Sequence, residues 1–201
     1  MLHLETIDSD TLALLKRIQA LDLLAQTRLV GGTALALHLG HRHSIDLDFF
    51  GVWGEVNLES ILESCGTVVR TGGRDRLQFY EVNHVKVDFV TYQYAWLQEA
   101  SIIDGVRLAH IDDIAAMKLE AITNRGSKKD FIDVAILLEH CSLKQMLELY
   151  HRKYPKGLKL HVMRSLVYFE DAEGTDMPLM LKPLSWETAK ERICDAVRET
   201  A

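Results

Sequence analysis

Two glycines placed directly after a short apolar run constrain this chain more than any other feature. In Arg28-Leu29-Val30-Gly31-Gly32-Thr33 a strand runs into Gly31-Gly32, and residues 33–39 then have helical composition up to Gly40. A strand–glycine–helix junction exposes backbone N–H groups at the helix N-terminus. The bare glycines let an anion approach them, and the helix dipole favours its charge. Thr33 adds a hydroxyl suited to a phosphate oxygen. Twelve residues separate Thr33 from Asp46, which opens Asp46-Leu47-Asp48-Phe49-Phe50. Residues 44–50 alternate as a half-buried strand does, so Asp46 and Asp48 are expected on one face, with Ile45, Leu47 and Phe49 buried on the other. Two such carboxylates repel each other unless a cation lies between them, and oxygen ligands suit magnesium.

A third acid follows in Val85-Lys86-Val87-Asp88-Phe89-Val90, where Val85, Val87 and Phe89 point to the core and Asp88 points the other way. If that strand lies beside the first, Asp46, Asp48 and Asp88 converge. Three carboxylates are enough for two magnesium ions, one guiding a triphosphate and one activating an attacking hydroxyl. Farther on, Lys118, Ala121 and Arg125 share one helical stripe, so both cations can reach one target, expected to be the triphosphate. Lys129, Asp130 and Asp133 open the next helix.

Together these elements resemble the nucleotidyltransferase superfamily of DNA polymerase β, and within it the abortive-infection AbiEii/AbiGii toxin branch. That branch reads as a Gly-Gly-Ser/Thr-led helix, an R-x-S-x-DxDF strand, an xVDF strand and a helical K-xx-A…R…KD-xx-D motif. The counterparts here are Gly31-Gly32-Thr33, the run from Arg42 through Ser44 to Phe49, Val87-Asp88-Phe89, and Lys118 to Ala121 with Arg125, Lys129-Asp130 and Asp133. The likeness spans roughly residues 29–138 and weakens toward both ends. It implies an α+β fold: a polymerase β-like nucleotidyltransferase core with a short mixed sheet, followed by a C-terminal helical bundle.

The same resemblance implies a metal-dependent enzyme that moves a nucleoside monophosphate from a nucleoside triphosphate to an acceptor hydroxyl, with magnesium or manganese as cofactor. Asp46, Asp48 and Asp88 would hold the metal and, with Lys118, carry catalysis. Gly31, Gly32, Thr33, Arg42, Ser44, Lys118, Arg125 and Asp130 would bind the nucleotide, Asp130 by orienting Lys118 or Arg125. The implied role is the toxin of a toxin–antitoxin pair, with tRNA as acceptor and a cognate antitoxin protein as partner. The alternatives are a transferase acting on a small molecule or a protein side chain, and a regulatory protein that keeps the fold without the catalysis.

The rest of the chain sorts by periodicity. Leu12, Leu15, Ile18, Leu21 and Leu24 predict a helix over 10–26, and a second helix is expected over 57–64. A strand near 67–71 should end in a turn at Gly72-Gly73. Asn83-His84 and Asp104-Gly105 mark hairpins joining 76–82 to 85–91 and 101–103 to 106–109. Beyond His110 helices are expected over 112–124, 128–139, 143–150, 158–169 and 186–199, with a loop over 170–183. The expected division is a nucleotidyltransferase core over 1–110 and a helical domain over 111–201 that completes the active-site cleft.

Net charge narrows the partners. A charge of -6 argues against a protein that coats nucleic acid, and leaves room only for a local basic patch. Arg125, Lys128, Lys129, Arg152, Lys153, Lys156, Lys159 and Arg164 supply one in the helical half. No apolar run reaches the roughly 18 residues of a membrane span, and Met1 to Asp10 carries no secretory pattern. Cys65, Cys141 and Cys194 are scattered, which suits a reducing compartment. The expectation is a cytoplasmic protein with no membrane contact. His38, His41 and His43 around Gly40 read as a polar loop in preference to a zinc site, and Tyr92, Tyr94 and Trp96 as packing residues or a stacking surface.

Overall fold

The computed structural model describes residues 1–200, which form two compact units. One comprises residues 1–93 and 100–109, and the other comprises residues 94–99 with those from 110 onward. The first unit contains helices α1 (Ser9–Gln19), α2 (Gly31–Leu39) and α3 (Leu58–Leu62) and seven strands: β1 (Arg28–Val30), β2 (Leu47–Gly51), β3 (Val68–Arg74), β4 (Leu77–Val82), β5 (Val85–Thr91), β6 (Ser101–Ile103) and β7 (Val106–Leu108). The strands form one sheet in the order β3-β4-β5-β2-β1-β7-β6. It is mixed: β2 runs parallel to β5 and β1 to β7, while the other neighbours are antiparallel.

One face of this sheet is the core. Leu29, Leu47, Phe49, Tyr80, Val87 and Phe89 are fully buried, as are Leu14, Leu15 and Ile18 of α1 and Leu35 and Leu37 of α2. Phe49 and Phe89 stack across β2 and β5 at 5.2 Å between centroids, and Tyr80 and Trp53 meet Phe89 edge-on. Each such side chain stabilises the fold by about 1.5–3 kcal/mol on burial. The hairpins at Asn83-His84 and Asp104-Gly105 have positive φ at both central residues, the backbone that matches strand twist.

Three local expectations differ. The first helix stops at Gln19, and residues 22–24 form a separate 3-10 turn. Arg107 explains the break, because its guanidinium takes the carbonyls of Thr27 and Leu24, and the Gln19 side chain pairs with the Arg107 backbone. Gly72-Gly73 is no turn but part of β3, which bulges between Arg70 and Gly72. Gly73 has a φ of 90°, which a bulged strand tolerates in glycine. The reversal comes at Asp75-Arg76, and the span 170–183 contains a short helix.

The second unit is helical: α4 (Ile111–Asn124), α5 (Lys128–Leu137), α6 (Leu143–Lys153), α7 (Lys159–Leu166), α8 (Glu170–Glu173) and α9 (Trp186–Thr200). Ser142 and Gln145 close a reciprocal cap on α6. Lys153 is not part of a basic surface. Its ammonium is fully buried 2.5 Å from Asp113, donates to Ala95 O and lies over the Trp96 ring. Asp113 in turn accepts from the backbone N–H groups of Leu97 and Gln98. That network binds residues 94–99 to this unit. Tyr94 packs edge-on to Tyr154, and in the first unit Tyr92 tilts against Phe50. No helix among the described residues is long and apolar enough to cross a membrane.

Candidate active site

The strand register brings two of the expected acids side by side. Asp48 of β2 pairs with Asp88 of β5 on parallel neighbours, and Val30, the last residue of β1, pairs with Asp48 from the other side. β1 then leads directly into α2 at Gly31, whose φ of 69° requires glycine. A Cβ at Gly31 would land on the Asp48 carboxylate, and one at Gly32 would land on the Arg42 guanidinium. The bare glycines therefore admit a carboxylate and a guanidinium against the start of α2, where no side chain caps the helix.

The approach to β2 is not the expected strand. Asp46 lies one residue before β2, and Ile45, expected in the core, is exposed. Thr33 provides the reason. Its buried hydroxyl donates to the Asp46 carbonyl and lies 2.9 Å from Ser44 Oγ, so a side chain takes the bond a sheet ladder would have made. In this structure Thr33 and Ser44 brace the loop that carries Asp46. Arg42 is buried, and its Nη1 donates to His43 O. His38 Nε2 lies 3.0 Å from Ala109 O.

Asp88 shows what the carboxylate face is suited to hold. Its Oδ1 is buried with no hydrogen-bond partner, while Oδ2 lies 2.8 Å from the Lys86 ammonium. An orphaned carboxylate oxygen is costly in a protein interior, and a cation relieves the cost. Burial works to lower the Lys86 pKa, but the hydrogen bond to Asp88 and the charges of Asp88, Asp48 and Asp46 outweigh it and raise it. The face thus attracts positive charge. Among the described residues no three His, Cys, Asp or Glu side chains close into a finished metal cage. An open pair of carboxylates fits a hard cation that takes its remaining ligands from phosphate oxygens and water.

The remaining expected residues form one network in the second unit. Lys118 on α4 is not on a wet stripe: it is buried, 3.0 Å from Asp130 and 2.6 Å from Asp133 of α5, both fully buried. Arg125 closes a two-pronged pair on Asp130 at 3.0 and 3.2 Å, and Ser127 Oγ donates to the same carboxylate. Burial alone would raise the Asp130 pKa, but Lys118, Arg125 and Ser127 hold it well below the usual carboxylate range. Two cations and two anions balance here, and only Arg125 presents most of its side chain to solvent.

A comparison with known families decides the identity. Residues 13–195 match the family described as nucleotidyl transferase AbiEii toxin, Type IV TA system. The chain belongs to the AbiEii nucleotidyltransferase toxin family. It is therefore an enzyme of nucleotidyl transfer and a member of a toxin family of type IV toxin–antitoxin systems. It is 34% identical over 195 residues to the uncharacterised protein aq_aa25 of Aquifex aeolicus (strain VF5), covering 92% of this chain and 93% of that one. Among solved structures it resembles MenT4, a nucleotidyltransferase toxin of Mycobacterium tuberculosis H37Rv, with TM-score 0.59 and 17% identity over 94% of this chain and 80% of that one. JHP933 of Helicobacter pylori is similar at TM-score 0.57 and 19% identity, covering 96% of this chain and 92% of that one. These likenesses give the same α+β fold.

Two participants, Lys86 and Ser127, lie outside the AbiEii family pattern. Lys86 shares strand parity with Asp88, so the alternation that exposed Asp88 contained it. Ser127 sits three residues before Asp130 at the N-terminal edge of α5, where a hydroxyl is commonly a cap; here it serves the carboxylate.

Proposed function

We propose that this AbiEii enzyme transfers a nucleoside monophosphate from a nucleoside triphosphate to an acceptor hydroxyl with the aid of magnesium or manganese, and that the acceptor is an RNA such as tRNA. Asp46, Asp48 and Asp88 would hold the ion, which when bound offsets triphosphate charge and makes the attacking hydroxyl more acidic. The first-turn amides of α2 at Gly31 and Gly32 bind phosphate, and Arg42 adds a fixed positive charge beside Gly32. The Asp88 carboxylate takes the hydroxyl proton while the acceptor oxygen bonds to the α-phosphorus. The bond from that phosphorus to its bridging oxygen breaks, and pyrophosphate leaves with the electron pair. In the second unit Asp130 holds Arg125 by two hydrogen bonds with Lys118 behind it, which leaves Arg125 as the exposed cation of that network.

The observation that carries this reading is the in-register pair Asp48 and Asp88 with a buried, unpartnered Asp88 oxygen. As a toxin the enzyme acts in the cytoplasm, where triphosphates and RNA are present, and a cognate antitoxin protein relieves it. The test supplies each α-labelled triphosphate with magnesium or manganese to the purified protein and unfractionated tRNA. In parallel, the chain and its Asp46→Asn variant are expressed in a bacterial host. Label on RNA, and growth arrest that disappears in the variant, are expected. Label on a metabolite or protein reassigns the acceptor, and transfer without divalent cations overturns the metal assignment.

A further inference from the structure

A row of residues crosses four strands from the carboxylates to the sheet edge. Asp48 pairs with Asp88, Asp88 with Phe79 of β4, and Phe79 with Gly72 of β3, so all four occupy one face at one level. The same register places Val69, Leu77 and Val90 on that face, with Lys86, Glu81 and Arg74. This is the face opposite the core, and in antiparallel strands it is ordinarily polar. Here Val69 is 54% exposed and Leu77 47%, and Phe79 and Val90 are half-buried. Gly72 contributes no side chain, and a Cβ there would only touch the Phe79 ring at 3.5 Å. The result is an apolar shelf next to the reacting acids, with an aromatic ring beside Asp88 and a bare backbone beyond it.

Charge says what the shelf takes. Residues 68–77 carry Arg70, Arg74 and Arg76 against the single acid Asp75, in a chain whose net charge is -6. All three arginines are exposed. We infer that this shelf is the acceptor site, and that it binds a single-stranded polynucleotide end, with a base on Phe79, the sugar hydroxyl at Asp88 and the neighbouring phosphates toward Arg74 and Arg76. Phe79 stands one strand spacing, about 5 Å, from Asp88, a separation that a sugar hydroxyl and the base on the same sugar span. Stacking on a ring is tolerant of base identity, and arginines follow a phosphate backbone. The inference rests on the nucleotidyltransferase reading.

Two variants test it without touching the carboxylates. Gly72→Val fills the shelf at a position with ordinary strand φ and room for a Cβ, and Phe79→Ala removes the ring. Both should raise the KM for unfractionated tRNA about ten- to a hundredfold, leave the KM for the triphosphate within twofold, and leave the melting temperature of Gly72→Val near wild type. Phe79→Trp should restore most of the tRNA KM. Arg74→Ser should flatten the dependence of log affinity on log salt by about 0.7 for a lost single-strand phosphate contact. If wild type labels tRNA while Gly72→Val and Phe79→Ala keep its KM, the shelf is not the acceptor site. If the acceptor proves to be a metabolite with a salt-independent KM, the polynucleotide assignment falls. If wild type transfers to nothing, the transferase reading itself is at fault.

Discussion

Replacing Asp48 with asparagine should make the protein more stable without metal and less stable with it. The register places the Asp48 and Asp88 carboxylates on neighbouring strands, about 5 Å apart at the Cβ atoms. Two negative charges at that distance repel by about 0.8 kcal/mol in bulk water and about 3 kcal/mol at an effective dielectric of about 20. The Asp88 side chain is 12% exposed, so a value of about 2 kcal/mol is appropriate. Against this, Asp48→Asn gives up a negative charge beside the uncapped start of α2, a loss of about 0.5–1 kcal/mol, and some attraction to Lys86. The net gain is about 1 kcal/mol, or about 2–4 °C in Tm for a chain of this size.

Metal reverses the order. Wild type in manganese at about a hundred times its Kd should gain about 2.7 kcal/mol, while the variant, with one ligand gone, gains little. Thermal melts followed by circular dichroism at pH 7.5, in chelator and in manganese, should therefore cross. Asp48→Asn melting below wild type in chelator would refute the repulsion argument. An equal manganese gain in both proteins would show that Asp48 is not a ligand.

Three further outcomes follow from the same structure. Lys86→Ala should lower Tm in chelator and tighten manganese binding about two- to fivefold, since a pair whose lysine is largely in solvent contributes only up to about 1 kcal/mol; electron paramagnetic resonance titration of free manganese reads this directly, and unchanged affinity would mean that Lys86 does not compete for the acids. Lys153→Met should destabilise the fold by about 3–5 kcal/mol in urea titrations, because it leaves Asp113 charged and buried, and a loss under 1 kcal/mol would contradict that burial. Asp130 has a folded-state pKa depressed below its unfolded value, so its contribution to stability is complete above about pH 4 and is lost as the pH falls toward the folded pKa. Asp130→Asn should accordingly show a shallower decline of urea stability below pH 4 than wild type, and parallel declines would remove Asp130 as the cause.

What was legible in the sequence, and what was not, divides along the range of the forces involved. The α+β order, the Gly-Gly junction and the outward facing of Asp48 and Asp88 depend on strand parity, glycine dihedrals and turn residues, all of which act within a few positions. Ile45 shows where parity fails: the alternation is present through residues 44–50, but Thr33, thirteen residues upstream of Asp46, takes the Asp46 carbonyl, and the strand starts only at Leu47. Helical spacing shows that Lys118 and Arg125 share a stripe but says nothing about whether that stripe meets water. Two acids on the following helix decide it, and they turn an expected phosphate-facing lysine into a buried, compensated one. Lys153 makes the same point more sharply, because its partner Asp113 lies 40 residues away and on another helix. A lysine's formal charge is a local property, whereas its available charge depends on non-local pairing, so a basic patch counted along the sequence overstates what a phosphate would meet. Arg74 and Arg76 lie on a hairpin whose register is set by its own turn, and there local pattern and available charge coincide.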